Sequence, residues 1–494
     1  MDEPGEKTMV ENELSVSFGY KCTVADLSSS LDSRDKATLP GYRRKSSGLT
    51  QSRSFSCLSG AALNANATLA NSNVCNGVIG DGKASNLDSP TQFKRITSSS
   101  SLSVLDCSPS SSYGSMCIPS DRSTIEEDEP SRVTSLGMPS GELTRIGSSS
   151  FLEAMGLQMA GGAAGEDRVQ AVCSEENGLL FCGVYDGFNG RDAADFLAKT
   201  LYESICFYLY MLDRRDEGGE NSISDTLIGD DLDSGKDTKT EFVKDCLTRA
   251  LAQAETDYFE MVEREMEDRP DLVSVGTSVL VMLLYDGELY VLSLGDSRAI
   301  LATSGRSASA PRAVQLTEIH TVDDISEWKR VTSDHPNDPS PIYRGKVKGR
   351  LKLTRAFGVG YLKKTHMNNV LIGILRIRNL ISPPYISSHP FTFHRRVQEK
   401  DQFVVLGSDG LFDFFSNEEV VQLVHLLIHR NPTADPAKYL IEQLVQRAAA
   451  RAGFSIEDLM RVPAGSRRNY HDDVTVIVII LGVRQKTSSA SVSL

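Results

Sequence analysis

Gly178-Leu179-Leu180-Phe181-Cys182-Gly183-Val184-Tyr185 runs without a break into Asp186-Gly187-Phe188-Asn189-Gly190. Eight mostly apolar residues in a row predict a strand buried on both faces. The run stops abruptly at an acidic residue followed by glycine. A carboxylate at the mouth of a rigid strand is well placed to hold a hard cation, and a bare glycine lets backbone carbonyls approach that cation. Asp-Gly is also good turn chemistry, so the stretch by itself reads first as a strand-to-helix turn. The rest of the chain has to decide.

Upstream, Arg168 to Ser174 alternates Val169, Ala171 and Cys173, a strand signature, and Asn177-Gly178 reads as a hairpin turn. Downstream, Ala193, Phe196, Leu197, Leu201, Ile205 and Tyr208 recur at helical spacing over 193–210. A second amphipathic helix is predicted over 242–262, with Phe242, Cys246, Leu247, Ala250, Leu251 and Ala254 on its buried face. The acidic, Gly- and Ser-rich stretch between them, 213–240, reads as a surface insertion. Two apolar runs flank Asp286-Gly287 and predict a hairpin, 277–285 with 288–294. Further strands are expected at 300–303, 402–406 and 474–481. A short helix is expected to bury Ile325, Trp328 and Val331. Ser416 and Glu419 suit a capping box, and Asp435-Pro436 opens a helix closed near Gly453.

The chain has 494 residues, more than one ordinary core requires. Residues 1–147 are Ser-rich without a sustained apolar period, and are expected to be disordered. Serines stand beside basic residues at 43–47, at Arg53-Ser54-Phe55-Ser56 and at 94–98, where phosphate would change local charge strongly. The remainder divides into one large domain, 148–484, and a polar C-terminal tail, 485–494. A net charge of −14 argues against non-specific nucleic-acid binding. No apolar run reaches membrane-spanning length, no signal peptide is legible, and Asp2 leaves no myristoylation glycine. Nine cysteines lack metal-ligand spacing, and Cys173, Cys182 and Cys206 read as core fillers. An intracellular monomer, in cytosol or nucleus, is the expectation.

Four strand-associated sites carry carboxylates: Glu166-Asp167, Asp186-Gly187, Asp409-Gly410 and Asp472-Asp473. Strand ends gather at the rim of a sheet, so these distant residues can converge. Clustered carboxylates repel unless cations sit between them. With no clustered His or Cys, such a site favours Mg²⁺ or Mn²⁺ over zinc. Two such ions about 3.5–4 Å apart can clamp a phosphate for in-line attack by water.

At this point the chain resembles the metal-dependent protein phosphatases of the protein phosphatase 2C type. The matching runs are Gly165-Glu166-Asp167, Asp186-Gly187-Phe188-Asn189-Gly190, Gly276-Thr277-Ser278, Gly295-Asp296-Ser297-Arg298-Ala299, Leu316-Thr317, Leu353-Thr354-Arg355-Ala356-Phe357-Gly358, Ser408-Asp409-Gly410-Leu411-Phe412-Asp413 and Asp472-Asp473-Val474-Thr475-Val476. Asp-Gly-Phe-Asn-Gly and Tyr470-His471-Asp472-Asp473 are similar to the plant Poltergeist-like branch. The resemblance implies an α+β fold, a four-layer αββα sandwich of two central antiparallel sheets flanked by helices. It implies hydrolysis of phosphoserine and phosphothreonine by a metal-activated water at a binuclear Mg²⁺ or Mn²⁺ site. By position, Asp186 resembles the carboxylate bridging both metals, Gly187 the residue offering its carbonyl, and Asp409 and Asp472 the remaining aspartate ligands. Glu166 or Asp167 matches a metal-side acid. Asp296, Arg298, Thr354 and Arg355 are expected to tie turns together. Phosphoproteins are the implied substrates, with kinase or signalling partners engaging the N-terminal tail.

Three family features are absent. Phe188 stands where most members have the His that protonates the departing alcohol, a contribution of ~10²–10⁴ in rate. Gly162 replaces the usual phosphate-clamping Arg, and Val359 replaces an Asp at the metal rim. His471 and Arg168 are expected to point away from the site, because adjacent strand residues face opposite ways. Arg344, Lys346 and Lys348 could supply charge from a flap. The alternative function is a catalytically impaired pseudophosphatase that serves as a binding or scaffold module.

Overall fold

The computed structural model describes residues 14–21, 55–66, 94–95, 158–174, 179–217, 235–305 and 310–482. In chain order the first strands are β1 (Val16–Lys21), β2 (Phe55–Leu63), β3 (Lys94–Arg95), β4 (Gln158–Ala164), β5 (Asp167–Ser174), β6 (Leu179–Phe188), β7 (Gly276–Tyr285) and β8 (Glu288–Leu294). They are followed by β9 (Arg298–Thr303), β10 (Arg312–Gln315), β11 (Ile342–Tyr343), β12 (Lys346–Val347), β13 (Phe357–Gly358), β14 (Phe391–Arg396), β15 (Asp401–Gly407) and β16 (Val474–Leu481). One antiparallel sheet has the order β14-β8-β7-β6-β5-β4-β3, with β13 on β7; the other runs β1-β2-β16-β15-β9-β10.

Helices α1 (Asp192–Glu217) and α2 (Gly235–Glu265) cover the first sheet. The others used below are α3 (Ile325–Asp334), the single turn α4 (Asp409–Phe412), α5 (Asn417–Arg430) and α6 (Pro436–Ala452), of which α5 and α6 cover the second sheet. The result is the expected αββα sandwich. Alternation along β6 explains why its sequence is apolar throughout: Leu180, Cys182 and Val184 face the second sheet, while Leu179, Phe181 and Tyr185 lie under the helices.

Local chemistry sets most boundaries as anticipated. Ser416 and Glu419 form both halves of a capping box, and α6 runs from the Asp435 N-cap to Gly453 in the left-handed conformation. Cys173, Cys182 and Cys206 are buried, as are Tyr258 and Phe259. The Asn177-Gly178 turn lies outside the described residues.

Several expectations are corrected. Residues 1–147 are not uniformly disordered: β2 pairs along β16 from Val474↔Leu63 to Leu481↔Phe55, and β1 pairs with β2. Gly, Ser and Ala dilute the period-two signal of β2, yet Leu58, Ala61, Ala62 and Leu63 are fully buried. Ser56 belongs to that strand and donates its hydroxyl to the Ile480 carbonyl, so it is not a solvated phosphate acceptor. Helices α1 and α2 extend into the 213–240 stretch from both sides. Phe242 is 43% exposed, and the helix buries the neighbouring Val243 and then Leu247 instead. Ile325 and Trp328 are exposed at 72% and 46%; of that face only Val331 is buried, and α3 buries Glu327 besides, because it is bound by Thr354, Arg330 and Arg355.

Candidate active site

Register brings the carboxylates together. In the first sheet, Arg168↔Tyr185 and Gly187↔Thr277 put the start of β5 beside the end of β6 and the start of β7. In the second, Gly407 pairs with both Arg298 and Val476, so β9, β15 and β16 have their acidic flanks at one end. Hydrogen bonds join the two rims: Thr475 Oγ1 donates to Asp167 (2.8 Å), the Asp409 N–H to Asp186 (3.4 Å), and the Glu166 N–H to Asp473 (2.9 Å).

At the centre, one carboxylate oxygen from each of Asp186, Asp296 and Asp409 lies within 4.8 Å of the others. Burial holds the carboxyls of Asp186 and Asp409 well above the ordinary carboxylate range, with the charge of Asp409 adding to it at Asp186 and that of Asp296 at Asp409. Asp296 is raised as well, by burial, against a 3.0 Å hydrogen bond from Ser278 Oγ. Three half-buried carboxylates this close are an oxygen-only donor set with surplus negative charge, which suits a hard divalent cation.

Asp296 is the residue sequence reasoning undervalued. Its sequence context suggests a turn-tying polar group, and the structure places it in the acidic trio. Gly295-Asp296 carries no strand-terminal Asp-Gly signature, so only the approach of the two sheets reveals it. His320 fixes this turn, accepting from the Gly295 N–H through Nδ1 and donating its own N–H to the Gly295 carbonyl.

Gly187 lies directly against the turn between β4 and β5. A Cβ there would sit 2.4 Å from the Glu166 carbonyl oxygen, so only glycine permits this approach. Burial pushes the Glu166 carboxyl up to about 7, with Asp473 adding to the effect and Arg468 opposing it. Asp167 is buried and held well above the ordinary carboxylate range, first by burial and then by Asp473, and its carboxylate turns toward Thr475. Asp472 lies outside the trio. Its Oδ1 accepts from Asn66 Nδ2 (3.1 Å) and the Asp473 N–H (2.8 Å), and its Oδ2 is 3.6 Å from Arg468.

Two of the three positions that depart from the family pattern lie beside Gly276. Val359 and Phe188 both lie over Gly276, where a Cβ would be 2.4 Å from a Val359 methyl and 2.7 Å from the Phe188 ring. Val359 is fully buried at φ 58°, a left-handed conformation unusual for a β-branched residue. His471 is buried with Nδ1 against its neighbour's carbonyl, and Arg168 binds Asp195 and the carbonyls of Gly165 and Asp167. Lys348 is locked in a buried pair with Asp338 (2.7 Å). Thr354 and Arg355 bind Glu327, the structural role expected of them.

Residues 158–453 match the family Protein phosphatase 2C. The chain belongs to that family. It is 53% identical to "Probable protein phosphatase 2C 40" of Arabidopsis thaliana, over 98% of this chain and 99% of that protein. It is 52% identical to "Probable protein phosphatase 2C 39" of Oryza sativa subsp. japonica, over 98% and 95%. A crystal structure of serine-threonine phosphatase 2C from Toxoplasma gondii is similar with a TM-score of 0.45 and 18% identity, over 66% of this chain and 95% of that one. A protein phosphatase of the 2C family acts on phosphoproteins. Among the described residues, no helix is long and apolar enough to cross a membrane.

Proposed function

We propose that this phosphatase hydrolyses phosphoserine and phosphothreonine at the acidic rim, with Mg²⁺ or Mn²⁺ held as a pair by Asp186, the Gly187 carbonyl, Asp409 and Asp472. The observation that carries the reading is the half-buried trio of Asp186, Asp296 and Asp409, whose mutual repulsion a cation relieves. Bound there, the cations would supply positive charge for the phosphoryl oxygens and a water acidic enough to attack at neutral pH. Glu166 and Asp167 are assigned as additional metal-side acids. Arg468, half exposed and beside Asp472, is the guanidinium we assign to the substrate phosphate in place of the missing clamp at Gly162. Phe188 has no proton to give, so the leaving oxygen departs unassisted.

The apolar side chains of Phe188 and Val359 beside Gly276 favour a second reading, a pseudophosphatase that binds phosphoproteins without turnover. Purified full-length chain, assayed on p-nitrophenyl phosphate and a phosphoserine peptide with and without Mn²⁺, separates the two. Mn²⁺-dependent release of phosphate, abolished by Asp186→Asn and Asp409→Asn, is the expected result. Near-normal turnover by Asp186→Asn at saturating Mn²⁺ would overturn the assignment of the site. No turnover of either substrate would favour the second reading.

A further inference from the structure

The chain leaving β2 runs directly into the site. Because Leu63 pairs with Val474, residues 64–66 lie alongside the segment that carries Asp472 and Asp473. Asp473, itself buried, gathers this segment in. Its Oδ1 accepts from the Ala65 N–H (2.7 Å) and the Asn66 N–H (2.9 Å), and its Oδ2 from Asn66 Nδ2 (2.8 Å) as well as from Glu166. From the other side, the Gly465 N–H donates to the Ala65 carbonyl (2.7 Å) and Arg467 to the Asn64 carbonyl (3.2 Å). The Asn66 amide is thereby fixed, only 7% exposed, and its nitrogen also donates to Asp472 Oδ1.

We propose that Asn66, from the Ser-rich N-terminal region, is a positioning residue that orients Asp472 for cation binding. The inference rests on the reading of Asp472 as a ligand. With Oδ1 held by Asn66 and by the Asp473 N–H, the carboxylate plane is set and Oδ2 is left to the rim, where its neighbour is Arg468. A carboxylate held in this way loses little rotational freedom on taking up a cation. Outer hydrogen bonds to metal ligands typically contribute 10–100-fold to affinity. Asn66 also stands outside the family-matched residues 158–453, as Asp472 does, so the site is completed by two segments that flank the matched region on either side.

The test is Mn²⁺ affinity of the full-length chain by titration calorimetry, with thermal melts recorded without metal. Asp472→Asn should weaken Mn²⁺ binding strongly. Asn66→Ala should weaken it about 10-fold or more. Ser56→Ala, on the same strand but away from the rim, should leave affinity unchanged. Intact binding in Asp472→Asn would overturn the ligand assignment and with it the proposal. Weakened binding in Asp472→Asn with wild-type affinity in Asn66→Ala would overturn the role of Asn66 alone. If Asn66→Ala fails to melt cooperatively, Asn66→Gln takes its place. It keeps the amide but displaces it by a methylene, and wild-type affinity in that variant would equally overturn the proposal.

Discussion

Phe188 is where the chemistry of this site is most exposed to test. Without an imidazole, a serine alkoxide leaves poorly, whereas p-nitrophenolate needs far less help. Phe188→His should therefore raise turnover of a phosphoserine peptide more than of p-nitrophenyl phosphate. The gain should fall below ~10²–10⁴, because Gly162 and Val359 remain uncorrected. Equal gains on both substrates would dismiss the missing-acid account. Arg468→Ala should raise KM for phosphopeptide and weaken inhibition by inorganic phosphate, with a smaller effect on kcat; unchanged KM and phosphate inhibition would remove Arg468 from substrate binding. His320 offers a pH signature. Its ring is fully buried and burial holds its pKa down at about 4, from an ordinary 6.5, so the folded state binds its proton less well than the unfolded chain. That stability is present above pH 6.5 and is lost as pH falls through 4. At ~1.4 kcal/mol per pH unit it amounts to about 3 kcal/mol. In His320→Asn, whose side-chain oxygen can still accept from Gly295, the acid-side decline measured by urea unfolding should flatten; an unchanged decline would exclude His320 as its source.

At the scale of elements, β2 makes the domain begin well before the family-matched region. Val474-Thr475-Val476-Ile477-Val478-Ile479-Ile480-Leu481 would become an open apolar edge without it, a template for aggregation. Deleting residues 1–140 should therefore give insoluble or non-cooperatively melting protein. Deleting only 22–50, which retains both N-terminal strands and shortens their connection, should preserve the melt, since shortening a long connection changes closure entropy little. Soluble, cooperatively melting protein from the longer deletion would refute the structural role of β2.

Across the whole molecule, the two sheets meet at a rim of carboxylates whose charge opposes the packing that assembles it. A cation that binds this rim only in the folded state stabilises the fold by mass action, about 2.7 kcal/mol at 100 times its Kd. Mn²⁺ should raise the melting temperature of the wild type and have little effect on Asp186→Asn. An equal rise in both would place the bound ion elsewhere. Because the carboxyls of Asp186 and Asp409 are held above their ordinary range, binding must displace protons, and Mn²⁺ affinity should increase with pH.

The sequence by itself determined β6, the Asp286-Gly287 hairpin, the caps of α5 and α6, and the carboxylates at strand ends, because each follows from local periodicity or turn chemistry. It also carried the family, through runs whose order along the chain survives any folding. Tertiary structure alone decided the rest. β2 is a strand because β16 offers it an edge, although its own Gly, Ser and Ala provide only weak β preference. Ile325 and Trp328 stay outside because Glu327 finds two arginines and a threonine to bury with. Asp296 and Asn66 join the site through strand register and sheet-to-sheet approach, which no spacing along the chain encodes. Local propensity fixes which residues can end a strand; only packing fixes which ends meet.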